Sequence, residues 1–237
     1  MSSAVRSALY LLVAALVCAV VVVRSAEAGY EGPLLPADTL RGPAQMLQQY
    51  PSVALATADQ RRAATRLLAR LRQASAPWRD GRRARLDGFD THAARRGPGT
   101  GVGYLHAESR RFADDRRYLD PARPEALIYA NVPGRALVLV GAMFSVPRRV
   151  HGPTPGGPLT RWHTHRVCAR GRQRGLAPHP DGTCPRGAVA RQGSEMLHVW
   201  FTADLRSAFA IHAPVPELCA EGILPLDLCH DPSLHEM

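Results

Sequence analysis

The chain has 237 residues, 46% of them hydrophobic, and a formal net charge of +10. That is enough apolar material for one sizeable core with an N-terminal appendage. The positive charge rests on arginine alone, with no lysine and a single asparagine beside abundant Ala, Gly and Pro; this is the signature of codon bias in a GC-rich genome. No recognised nucleic-acid-binding module accompanies it, which argues against nucleic acid as the partner.

Residues 1–28 read as a targeting segment. Arg6 precedes the apolar run ALYLLVAALVCAVVVV, Ala8 to Val23, and Ala26-Glu27-Ala28 follows. The layout is that of a secretory signal peptide cleaved between Ala28 and Gly29. The competing reading is an uncleaved membrane anchor, since the run approaches the length that spans a bilayer. Both place the body of the protein outside the cytoplasm, where thiols tend to be oxidised. With Cys18 in the targeting segment, Cys168, Cys184, Cys219 and Cys229 remain, and four cysteines allow three pairings. Cys168 with Cys184 and Cys219 with Cys229 gives the shorter loops and is the expected pairing.

Residues 29–56, rich in Pro and Gly, read as an extended lead-in. A plausible N-cap in Thr57-Ala58-Asp59 then opens QRRAATRLLARLRQA, where Ala64, Leu67, Leu68 and Leu71 fall at helical spacing. This predicts an amphipathic helix that stops before Pro77. The remainder of 57–100 is an arginine-rich loop, or a short helix and loop.

The β-rich region spans 101–212. ALIYANVPGRALVLVGAMFSV, Ala126 to Val146, predicts a hairpin around Asn131-Val132-Pro133-Gly134. Asp120 and Glu125, beside Pro121 and Pro124, read as turn and cap residues before it. Thr160 to Val167 alternates as a strand would, Gly171 to Gly193 is mostly turn formers, and EMLHVWFT, Glu195 to Thr202, is a strong strand. The last stretch, 213–237, reads as a Pro- and Cys-containing tail in which His230, His235 and Glu236 are loose metal candidates at best. A helix followed by antiparallel strands predicts an α+β fold, its β part an open sheet or a small barrel or sandwich.

Alternate side chains of a strand share a face, so LTRWHTHRVC puts His163 and His165 on one side, and EMLHVWF puts His198 with Met196 and Trp200. Imidazoles converging in this way are the ligand set of an open zinc, copper or iron site. The bland alternative is a set of surface or hydrogen-bonded histidines. Gly157, five residues, then His163-Thr164-His165 also matches the start of the first cupin motif, without the glutamate that follows in cupins.

The motifs GYLHAES, LDPARPEALIY, LVGAMF, GGPLTRWHTH, DGTCPRG and EMLHVWF, spread from Gly103 to about Phe209, together resemble a family of uncharacterised exported bacterial proteins. The resemblance implies that His106, His163, His165 and His198 act as a set, holding one transition metal as four ligands, or three plus water. It names no reaction. Two departures stand out: only Arg166 and Val167 separate His165 from Cys168, where the family has Asp-Asn-Leu, and Ala203 to Ser207 replaces Pro-His-Pro-Cys-Gly.

Three functions are therefore expected from different classes. The first is an exported protein binding copper or zinc through clustered histidines. The second is a hydrolytic or oxidative enzyme using the same metal, with Glu195 or His106 as its base; Glu195 otherwise reads as a solvated strand end. The third is a cell-envelope protein whose arginines between Arg61 and Arg117 contact anionic polymers or a membrane surface. No Ser-His-Asp order, nucleophile elbow, P-loop or dinucleotide fingerprint supports a hydrolase of those types or a nucleotide enzyme.

Overall fold

The computed structural model describes residues 49–91, 103–131, 134–148, 150–164, 166–171, 173–176, 183–192 and 194–230, all within the compact unit Gly32–Met237. The signal or anchor segment, His165, His235 and Glu236 lie outside the described residues, as does most of the lead-in. Among the described residues no helix is long and apolar enough to cross a membrane.

The helix α1 runs Ala58–Ser75, as the periodicity predicts. Thr57 caps it: its side chain accepts from the Gln60 amide while the Gln60 side chain accepts from the Thr57 amide, a reciprocal capping box. Ala64, Leu67, Leu68 and Leu71 form its buried stripe. A 3-10 turn, Ala76–Arg79, leads to the short helix α2, Gly81–Leu86, which Asp80 caps. The short helix expected here is α2, while residues 92–100 of the expected loop lie outside the described residues.

Seven strands follow: β1 Gly103–Glu108, β2 Ala126–Asn131, β3 Val138–Ser145, β4 Arg166–Arg170, β5 Gln173–Leu176, β6 Val189–Gln192 and β7 Met196–Trp200. The helix α3, Arg110–Ala113, links β1 to β2. The main sheet has the order β1-β2-β3-β7, antiparallel throughout, and a second sheet has the order β5-β4-β6. The fold is α+β, and the predicted hairpin is β2 with β3.

The main sheet is buried on both faces. On one, Leu127, Tyr129, Phe144, Leu197 and Val199 pack with Leu67, Leu68 and Leu71 of α1 and with Trp78, Phe89 and Phe112. The Tyr129 hydroxyl donates to the Trp78 carbonyl at 2.6 Å, tying sheet to helical layer. On the other, Ala126, Ile128, Val140, Met143 and Trp200 meet Ala210, Val215, Leu218, Leu224 and Leu228. These last residues belong to the segment containing α5, Val215–Ala220, and α6, Leu226–Cys229, which follow α4, Leu205–Ala208.

Three expectations need correction. The C-terminal segment to His230 is a packed cover rather than a loose tail: its prolines sit at helix starts, where a missing N–H costs nothing, and Leu218, Leu224 and Leu228 are buried. Thr160 to Val167 is not one strand, because the Thr160 hydroxyl accepts from the Gly156 amide at 3.1 Å and folds the chain back over a 3-10 turn, Gly157–Leu159. The strand begins only at Arg166. The turn-rich stretch after Gly171 holds two short strands, β5 and β6, whose pairing to β4 no period-2 pattern announces.

Both expected disulfides are present. Cys168 and Cys184 are linked with Cα atoms 5.5 Å apart, and Cys219 and Cys229 with Cα atoms 5.8 Å apart. The two bridges fit an oxidising, extracellular setting.

Candidate metal centre

His106 and His198 come from the first and last strands of the main sheet. In a flat sheet those strands would lie about 14 Å apart, three interstrand spacings. Their ring centres are nevertheless 5.3 Å apart, so the sheet curls and the two side chains meet over β2 and β3. Tyr104 and Trp200, one pleat further along the same strands, make the same crossing at 5.6 Å. Small residues under the crossing permit it: Gly141 is opposite Trp200, and Ala126 and Ala130 flank Ile128 on the same face.

His163 reaches the cluster by a different route. A single antiparallel bridge joins it to Met196, with its amide donating to the Met196 carbonyl at 2.9 Å and the Met196 amide donating back at 2.8 Å. Opposed residues share a face, so His163 lies on the Met196 and His198 side of β7. Its ring centre is 4.9 Å from that of His198. The structure thus brings together three of the four predicted histidines, with His198 touching both others.

Backbone carbonyls orient two of these rings. Nδ1 of His198 donates to the Ile211 carbonyl at 2.5 Å, and Nδ1 of His163 faces the Arg161 carbonyl at a longer 3.4 Å. A carbonyl only accepts, so in each neutral ring the proton sits on Nδ1 and the lone pair on Nε2. The adjoining Ala210 carbonyl accepts from Trp200 Nε1 at 2.8 Å, so one short segment after α4 positions both large side chains of β7. Burial holds His106 neutral by lowering its pKa to about 4, and it also lowers that of His212, beside Ile211. Among the described residues no group of three or more His, Cys, Asp or Glu side chains is already arranged to close around an ion.

Glu195 is not the solvated strand end expected from sequence. It is 7% exposed, and its carboxylate accepts from His151 Nδ1 at 2.8 Å and from the Gly152 amide at 3.1 Å. Strand alternation also sends Glu195 to the face opposite His198, with Leu197 and Val199. It is therefore committed elsewhere, which weakens its candidacy as a base beside the histidines. Glu125 is likewise no exposed cap: it is buried, accepts from the Ser145 amide at 3.2 Å, and burial, helped by Asp115 and Asp120, raises its pKa to about 8. Asp120 does make the expected turn, accepting from the Ala122 amide at 3.0 Å. His230 is exposed at the end of α6.

Sequence reasoning did not find His151. The signal lies in the β3–β7 register, which pairs Ser145 with Met196 and so carries the chain after β3 past Glu195. That pairing joins strands fifty residues apart and has no local mark in the sequence. Compared with protein-family models, with curated proteins and with solved structures, the chain matches none of them.

Proposed function

We propose that this is an exported protein that binds one copper or zinc ion through its clustered histidines, His106, His163 and His198, with His165 as the fourth member. The observation that carries this reading is the position of His198, in ring contact with histidines from two other segments. Imidazoles sharing a tetrahedral ion through bonds of about 2.0–2.1 Å have ring centres about 5.2 Å apart. The measured 4.9 and 5.3 Å bracket that spacing.

Packed aromatic rings also occupy this distance range, so spacing alone does not separate ligation from stacking. The proton positions favour ligation. A metal-binding imidazole characteristically donates its other ring N–H to a carbonyl or carboxylate, as the Nδ1 atoms of His198 and His163 do to Ile211 and Arg161. The resemblance to exported proteins with the same histidine pattern supports the same set. All-imidazole ligation suits copper and zinc alike.

Elemental analysis of protein recovered from an oxidising compartment tests the reading. About one equivalent of a single metal is expected in the parent, and loss of that metal in a His163→Ala variant that keeps the parent's circular dichroism. Failure of the parent to retain copper or zinc after reconstitution would make the rings a structural stack.

A further inference from the structure

A second site lies on the helical side of the molecule, away from the histidine set. A cavity of about 490 Å³ opens where the end of α1 meets the start of β3, the end of β7 and the turn after α5. Its volume falls in the range that holds small organic ligands. Arg72, Ser75 and Arg79 line one side, Leu137, Leu139 and Phe201 another, and Glu221 stands at the rim.

The polar side of this cavity is unsatisfied. The Arg72 and Arg79 side chains are exposed and make no hydrogen bond or ion pair among the described residues. Ser75 is fully buried in the wall and its Oγ has no hydrogen-bond partner. The three residues fall at spacings of three and four along α1 and its 3-10 extension, which keeps them on one side of the helix. Glu221 forms no ion pair with either arginine among the described residues, and both its carboxylate oxygens accept from the Ala203 amide at 2.8 Å.

We propose that this cavity binds a small organic monocarboxylate, its carboxylate held by Arg72 and Arg79 and its apolar body laid on Leu137, Leu139 and Phe201. Guanidinium forks match a carboxylate in geometry as well as charge. Two arginines against one glutamate leave a single excess positive charge, which suits a monoanion better than a phosphate dianion. The apolar wall sets an alkyl or aryl carboxylate apart from an inorganic anion.

Calorimetric titration of the full oxidised protein with sodium octanoate tests this, with sodium benzoate, octanol and inorganic phosphate as comparisons. One saturable octanoate or benzoate site is expected, with octanol and phosphate weaker by about tenfold or more. The paired change Arg72→Gln, Arg79→Gln should weaken carboxylate binding at least about tenfold. Both positions are exposed, so the fold is expected to survive, and circular dichroism checks it. Arg66→Gln with Arg70→Gln, exposed on α1 outside the cavity, controls for loss of general positive charge. Absence of carboxylate heat up to about 10 mM, equal loss in the control pair, or phosphate binding as tightly would overturn the proposal.

Discussion

Gly141 on β3 lies directly opposite Trp200 on β7, and a Cβ at that glycine would stand 2.7 Å from the Val199 carbonyl oxygen and 3.2 Å from the Trp200 Cα. Both obstacles are backbone and cannot rotate away. The glycine is what lets β3 and β7 approach beneath the indole, and it therefore also sets the position of His198 one pleat away.

Replacing Gly141 with alanine should accordingly push β7 outward. The expected cost is about 1–3 kcal/mol, typical of overpacking a filled interior. Denaturant unfolding measures it, and an altered Trp200 emission spectrum at zero denaturant would report the displaced strand.

The tautomer of His198 is a second expectation. With Nδ1 donating to Ile211, its Nε2 should give the chemical shift of an unprotonated ring nitrogen in metal-free protein. Long-range nitrogen–proton correlation spectra of the imidazoles settle this directly. A protonated Nε2 would mean that the Ile211 contact does not set the ring, and it would remove the orientation argument for ligation.

Two buried groups make stability depend on pH in opposite directions. Glu125 has a folded pKa raised from 4.5 to about 8, so its neutral form stabilises the fold fully below 4.5 and that contribution is lost as pH rises through 8. His106 has a folded pKa lowered from 6.5 to about 4, so its contribution is present above 6.5 and lost as pH falls through 4. Between 4.5 and 6.5 the two slopes oppose each other; above 6.5 only that of Glu125 remains. Metal-free protein should lose roughly 2 kcal/mol between pH 6.5 and 8, at about 1.4 kcal/mol per unit. In Glu125→Gln the decline should vanish, as denaturation midpoints at the two pH values would show.

Leu71 is fully buried where α1 meets the sheet. Leu71→Ala should cost about 2–5 kcal/mol through lost burial and the cavity left behind. Leu86→Ala, at an exposed position on α2, should shift the midpoint by less than about 0.5 kcal/mol in the same unfolding assay.

The sequence made some of this legible because the signals were local. The α1 stripe needs only the spacing of Ala64, Leu67, Leu68 and Leu71, its start needs Thr57 and Gln60, and the β2–β3 hairpin needs two apolar runs around Pro133-Gly134. The disulfide pairing followed from loop length. The histidine grouping was readable in part: alternation put His198 with Met196 and Trp200, but the meeting of His106 with His198 depends on sheet curl, which no local pattern encodes. The His151–Glu195 pair and the cavity at Arg72 and Arg79 depend on which distant segments pair. The C-terminal helices were misread because Pro214, Pro216 and Pro225 look like breakers until their place at helix starts is known.

The Cys219–Cys229 bridge joins α5 to α6, and those two helices supply Leu218 and Leu228 to the sheet face that carries Trp200 and Met143. Neither bridge ties the main sheet to α1; among the described residues side-chain packing seals that junction, with the Tyr129 hydroxyl bonded to the Trp78 carbonyl just beyond the helix. Reduction would thus act on the molecule unevenly. The body would stand, while α5 and α6 lost the link between them and kept only the packing of Val215, Leu218, Leu224 and Leu228 on the sheet.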